Sequence, residues 1–178
     1  MTENLQISQL GDPALRQIAQ PIDNVHDEWV QTLINNLMTT LLSSNGVGIA
    51  APQVAVPYQM LIVASRPNLR YPNAPTMSPT VMINPRSLTH SQEIVKDWEG
   101  CLSVPGIRGL VPRYKSIAIE YTAPDGTVRQ HQLTGFVARI FQHEFDHLSG
   151  LMFLDRVEST QDLVTEQEYL KRITINPD

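Results

Sequence analysis

The chain of 178 residues has a single cysteine, Cys101, so no intrachain disulfide can form and stability must come from a packed core. It has no apolar run long enough to span a bilayer, and its first twenty residues carry Glu3, Asp12 and Arg16 rather than a signal sequence or anchor. A basic block is also missing. The net charge is −5, which argues against nucleic acid as the main ligand, although ten of the thirteen basic residues are arginines and a local cationic patch is possible. There is no internal repeat and no low-complexity tract. A cytoplasmic protein with neither membrane nor specific nucleic-acid partner is expected, or an organellar form if a leader has been trimmed. Hydrophobic residues at 42% and charged residues at 17% suit a single domain over 1–178 that buries its own core.

Apolar residues at Trp29, Val30, Leu33, Ile34, Leu37, Met38, Leu41 and Leu42 recur every three to four positions and predict an amphipathic helix over 27–43, stopped by Asn45-Gly46. Residues 46–53 read as a small-residue loop or short extended piece, and 60–64 as a buried strand. Four prolines make 65–79 a surface loop. Further strands are expected at 81–84 and within 87–96. A hairpin of 116–121 and 127–133 closes at Pro124-Asp125-Gly126. A second helix covers 136–148 and ends near Gly150, and a short C-terminal helix is expected near 162–170. Strands in the middle and helices at both ends predict an α+β domain of mostly antiparallel sheets around a central helix that carries the motif described next.

His143-Glu144-Phe145-Asp146-His147 places two imidazoles four residues apart on that helix. Residues at this spacing share a face, with Cβ atoms about 5–6 Å apart, so both rings can reach one metal ion. Glu144 stands beside the first of them, where it can act as a base. Phe136 and Ile140 precede His143 on the same face and make the surroundings apolar, which strengthens the electrostatics of such a site. Gln142 and Asp146 can orient the ligands or simply face solvent. Arg139 can line the rim or only solvate the helix. A catalytic metal keeps three protein ligands and one open position. The third ligand has several candidates: Cys101, His26, His90, His131, or a downstream carboxylate, Glu166 or Glu168, as in a metalloprotease. His131 alternates along a hairpin strand and is expected at the surface. Cys101 follows a glycine and offers a thiolate, which suits a borderline-soft ion. A non-catalytic protein with a structural metal is the remaining alternative, disfavoured by Glu144 against an open site.

Three separate blocks narrow these choices. Gly46-Val47-Gly48-Ile49-Ala50-Ala51-Pro52-Gln53, Glu99-Gly100-Cys101-Leu102-Ser103 and Gln142-His143-Glu144-Phe145-Asp146-His147-Leu148 together resemble the signature of the peptide deformylases, and the resemblance runs from about residue 10 to 157. Residues 65–79 resemble an insertion relative to shorter bacterial forms, and the end after Glu158 differs from the long C-terminal helix of the best-known ones. The resemblance implies a metal-dependent hydrolase that removes the formyl group from the N-formylmethionine of new polypeptides, with transient contact to the ribosome. It implies Cys101, His143 and His147 as ligands of one divalent ion, Fe(II) in the cell or else Zn(II), Ni(II) or Co(II). It implies Glu144 as the proton carrier and the Gln53 side chain and Leu102 N–H as donors to the formyl oxygen. Val47, Gly48 and Gly100 would pair with the extended peptide, and Phe136, Ile140 and Val47 would line the methionine pocket.

Overall fold

The first helix, α1, spans Glu28–Ser44, one residue later at each end than the apolar stripe predicts. It stops because Asn45 turns left-handed, with φ of 54°. The structure is a computed structural model and describes residues 2–175. After α1 come β1 (Gly48–Ala50), β2 (Met60–Ser65), β3 (Met77–His90), β4 (Ile94–Cys101), β5 (Val104–Tyr114), β6 (Ser116–Thr122) and β7 (Val128–Thr134). The second helix, α2, is Gly135–His147, and the described chain closes with β8 (Leu163–Thr165) and α3 (Glu166–Ile175). One sheet has the order β1-β2-β3-β6-β7 and the other β4-β5-β8, all pairs antiparallel. The α+β architecture expected from the sequence is the one observed.

The larger sheet is buried on both faces at β1, β2 and the middle of β3, and strand alternation decides there which side chain goes where. Met60 and Ile62 of β2, Ile49 of β1 and Val81 and Ile83 of β3 point to α1, where they meet Val30, Leu33, Ile34, Leu37 and Leu41. Leu61, Val63, Ala50 and Met82 point the other way, to Ala138, Ile140 and Phe141 of α2. Burying each large aliphatic side chain stabilises the fold by about 1.5–3 kcal/mol. A third cluster of Leu15, Val104, Val111, Met152 and Phe153 joins the smaller sheet to the segment that follows α2.

Several expectations need adjusting. Residues 81–84 and part of 87–96 are not separate strands. β3 runs through both, bent at Asn84, whose φ is 48° and where the register against β6 shifts. The Asn84 amide is used for packing: Oδ1 accepts from Ile22 N at 2.8 Å and Nδ2 donates to Ile22 O at 2.8 Å. β3 also begins at Met77, inside the proline-rich stretch, because Pro79 lies near the strand's end. The C-terminal helix starts four residues later than expected, since residues 163–165 first pair with β5. After α2 the chain turns at Gly150, with φ of 69°, where a Cβ would come within 2.6 Å of the Arg16 carbonyl oxygen.

Candidate metal centre and active site

Three pieces of chain meet at one cavity. β1 and the residues on either side of it supply Val47, Gly48 and Gln53, the end of β4 and the residue after it supply Gly100, Cys101 and Leu102, and α2 supplies Phe136, Ile140, His143 and Glu144. The N-terminal segment fastens the first two together: Ser8 N donates to Gln53 O at 2.8 Å and Leu10 N to Ser103 O at 2.7 Å.

Cys101, His143 and His147 bring one ligand atom each to within 4.8 Å of one another. Cys101 Sγ stands 3.3 Å from His147 Nε2. A sulfur at about 2.3 Å and a nitrogen at about 2.0 Å from a tetrahedral ion would stand roughly 3.5 Å apart. The spacing and the soft-plus-imidazole donor set therefore fit one divalent ion. The other candidate ligands lie elsewhere. His26, His90 and His131 are exposed, Glu168 pairs with Lys171 at the surface, and Glu166 pairs with Arg70 and Arg108.

Glu99 is the residue the sequence motif carries without announcing its use. It is 3% exposed, and its Oε2 accepts from His143 Nδ1 at 2.9 Å. A carboxylate can only accept, so the proton sits on Nδ1 and Nε2 is left for the site. Arg113 holds the same carboxylate with two bonds, Nε to Oε1 at 2.9 Å and Nη2 to Oε2 at 3.0 Å, while its Nη1 reaches Asp146 Oδ2 at 2.6 Å. Burial pushes the Glu99 carboxyl upward, but the Arg113 charge and the bonds from His143 and Arg113 outweigh it and hold Glu99 well below the usual carboxylate range. Burial keeps His147 well below the ordinary imidazole value, helped by the Arg113 charge, which suits a neutral ring able to give its lone pair to a metal.

Arg139 lies on the cavity wall but is neither a free rim charge nor solvated. It is 6% exposed and donates to Glu99 Oε1 at 2.9 Å and to the carbonyls of Val111 and Val95. Asp146 is buried between Arg113 and Arg156, so it orients the ligands only through Arg113. Gln142 does not reach them at all; its amide bonds the backbone of Tyr114. A signal for this network was available: an arginine one turn before His143, on the apolar face of α2, needs a buried carboxylate.

Glu144 is 4% exposed, and its Oε2 is sealed from solvent with no hydrogen-bond partner. Burial pushes its carboxyl up to about 7, with the Glu99 charge adding to the rise and the Arg113 charge opposing it. Gly48 lies directly against it. A Cβ there would meet Glu144 Oε1 at 2.5 Å and Cγ at 2.8 Å. Gln53 is 1% exposed and rigidly held: Oε1 accepts from Ala50 N at 2.8 Å, which turns Nε2 toward Cys101 Sγ at 3.4 Å and Ser103 Oγ at 3.2 Å.

The polypeptide deformylase family profile matches residues 4–162. The chain belongs to that family. It is 59% identical to a protein named peptide deformylase 2 from a Nostoc strain, over 98% of this chain and 97% of that one. The peptide deformylase 2 of Shewanella oneidensis is 42% identical over 92% and 90%. Among solved structures, a class I type b peptide deformylase from Acinetobacter baumannii with Met-Ala-Ser bound superimposes with a TM-score of 0.86. It is 43% identical and the match covers 88% of this chain and all of that one. Family membership makes the chain a hydrolase, as its sequence motifs imply. No helix among the described residues is long and apolar enough to cross a membrane.

Replacing Gly48 by alanine should displace the Glu144 carboxylate and lower kcat of this deformylase at least 10²-fold, since proton transfer depends on placement to a fraction of an ångström. Steady-state kinetics would check it. Full activity in the variant would mean that Glu144 has room the structure does not show.

Proposed function

We propose that this chain, as one catalytic domain over 1–178, removes the formyl group from N-formylmethionine at the start of newly made polypeptides and releases formate. The observation that carries the reading is Glu144, a buried carboxyl with an uncommitted oxygen beside the Cys101, His143 and His147 cluster. Family membership and the Met-Ala-Ser held by the Acinetobacter relative support the substrate class. Cys101, His143 and His147 would hold one divalent ion, Fe(II) in the cell, with Zn(II), Ni(II) and Co(II) as alternatives. When bound, such an ion supplies Lewis acidity, which makes water acidic enough to give hydroxide near neutral pH.

The chain's own groups do the rest. Glu144 takes a proton from the attacking water, and its raised affinity for that proton lets it deliver the proton to the leaving amine nitrogen as the C–N bond breaks. The formyl oxygen gains negative charge as the water oxygen adds to the formyl carbon. Gln53 Nε2, fixed by the Ala50 N–H, and the Leu102 backbone N–H donate to that oxygen. Val47, Gly48 and Gly100 bind the peptide backbone as an added strand. Phe136, Ile140 and Val47 take the methionine side chain. The work is cytoplasmic, on nascent chains, with transient ribosome contact.

The test is formate release from formyl-Met-Ala-Ser by protein purified without oxygen. Release that a chelator abolishes and Fe(II) or Ni(II) restores is expected, with no cleavage of unformylated Met-Ala-Ser. Absence of release by fully loaded protein would refute the reading, and cleavage of internal bonds would move it to a protease.

A further inference from the structure

Asn36 and Thr40 stand one turn apart on α1 and are buried although polar, at 9% and 1% exposed. A buried polar side chain needs a partner. Theirs come from the start of the chain: Asn36 Oδ1 accepts from Glu3 N at 2.8 Å and Thr40 Oγ1 from Leu5 N at 2.9 Å. Leu5 and Ile7 pack on the core between α1 and the larger sheet. The next two bonds lie at the cavity, from Ser8 N to Gln53 O at 2.8 Å and from Leu10 N to Ser103 O at 2.7 Å. Residues 3–10 thus run as one strap from α1 to the site.

The place where the strap ends is a seam. Gln53 sits in the single helical turn Ala51–Val54 that follows β1 of the larger sheet, and Ser103 in the link between β4 and β5 of the smaller one. Among the described residues no strand of one sheet pairs with a strand of the other. The two donors assigned to the formyl oxygen, Gln53 Nε2 and the Leu102 N–H, are therefore carried by different sheets, and no ladder sets their separation. Gln53 Nε2 itself reaches across at 3.2 Å to Ser103 Oγ and at 3.4 Å to Cys101 Sγ, but these are long bonds, and the reaction needs that same amide. The two backbone bonds of the strap are shorter, and neither Ser8 nor Leu10 lies on the cavity wall.

We propose that Ser8 and Leu10 are positioning residues for the reaction: their N–H groups hold the Gln53 turn against the link that carries Leu102, and so fix the gap between the two donors. They touch neither substrate nor metal and act through Gln53 and Ser103. The proposal rests on the deformylase reading for the role of those donors. Groups that receive a developing charge must be held to within about 0.5 Å of their working place. A strap that slackens by that much lowers the rate and leaves affinity for the peptide nearly unchanged.

The turn at the end of the strap supplies the test. Asp12 N donates to Gln9 O at 2.9 Å and Gly11 has φ of 107°, a form of turn that accepts proline at its second position, here Leu10. Leu10→Pro suits the turn but removes the N–H and sets a ring carbon against Ser103 O. Leu10→Ala keeps the N–H and trims a side chain that is 51% exposed. In Ni(II)-loaded protein, Leu10→Pro should lower kcat for formate release from formyl-Met-Ala-Ser by about 10- to 10²-fold, with KM and metal content held, and Leu10→Ala should match the parent. In a Gln53→Ala background, where the donor is already gone, the same proline should lower kcat by less than about threefold, because both changes act on one interaction. Hydrogen exchange of the Gln53 side-chain amide, read by NMR on Zn(II)-loaded protein and identified by its loss in Gln53→Ala, needs no turnover. It should quicken by about tenfold or more in Leu10→Pro and not in Leu10→Ala. Thr40→Val, which keeps its shape and releases the strap at Leu5, should move kcat and exchange in the same direction, and it replaces the proline if that variant does not fold. Unchanged kcat, an equal loss in Leu10→Ala, loss of metal, a full proline effect without Gln53, or unchanged exchange would overturn the proposal. A parent that releases no formate sinks the deformylase reading instead, and exchange then decides by itself whether the strap holds Gln53.

Discussion

Glu144→Gln should lower kcat for formate release by about 10³-fold while the protein still binds one metal ion per chain. Glutamine preserves the shape of a side chain that is 4% exposed, so the core is not reopened. What it loses is the ability to take and return a proton, an effect usually worth about 10²–10⁴ in rate. The three clustered residues, Cys101, His143 and His147, are unaltered, so metal content should not fall. KM should change little, because Glu144 is not among the groups expected to grip the peptide. Metal analysis and steady-state kinetics on one preparation decide the matter. A variant with kcat within tenfold of the parent would remove Glu144 from its role.

Arg113→Met should destabilise the fold by about 3–5 kcal/mol, because it leaves buried acids without their principal partner. Arg113 is 6% exposed and bridges Glu99 to Asp146, which ties the smaller sheet to α2. Arg139 still faces Glu99 and Arg156 still faces Asp146, so the loss is that of one partner and not of all compensation. For a chain of this size each kcal/mol moves Tm by roughly 2–4 °C, so thermal unfolding should shift downward by about 10 °C. Metal affinity should fall as well, by about 10- to 100-fold, because Glu99 would no longer be held to orient His143. Lys96→Ala is the contrasting case. Lys96 meets Glu158 and Asp162 at the surface, where water screens the pair, and its removal should barely move Tm. A Tm shift for Arg113→Met as small as that of Lys96→Ala would mean that the buried network contributes little to stability.

The sequence made some of this legible and hid the rest for definite reasons. α1 and α2 show in their apolar spacing, because each buries one stripe against the larger sheet. The β6–β7 hairpin shows in its turn residues and alternation. β5 does not: Pro105, Gly106, Gly109 and Pro112 read as breakers, yet the strand tolerates them because Gly109 is needed where Phe153, Val157 and Leu163 crowd in. The cluster of Cys101 with two histidines was visible only in part from helix spacing, and the choice of Cys101 came from family resemblance. The Glu99–Arg113–Asp146 network was legible only at one point, Arg139 on the apolar face of α2, since Glu99 and Asp146 lie 14 and 33 residues from Arg113 and no local pattern links them. No local pattern reveals the partners of buried Arg108 either, which donates to Tyr71 and Glu166, 37 and 58 residues away.

Those separations have a kinetic meaning. Gln53 meets Cys101 across 48 residues, and Cys101 meets His147 across 46. No hairpin or helix of this chain carries the site by itself, so every loop that brings its pieces together must be closed before any of it exists. Folding dominated by such distant pairings is slow relative to helix formation. The reactive cluster thus exists only once those pairings are made, so a partly folded chain that lacks any of them, whatever secondary structure it holds, has no complete catalytic centre.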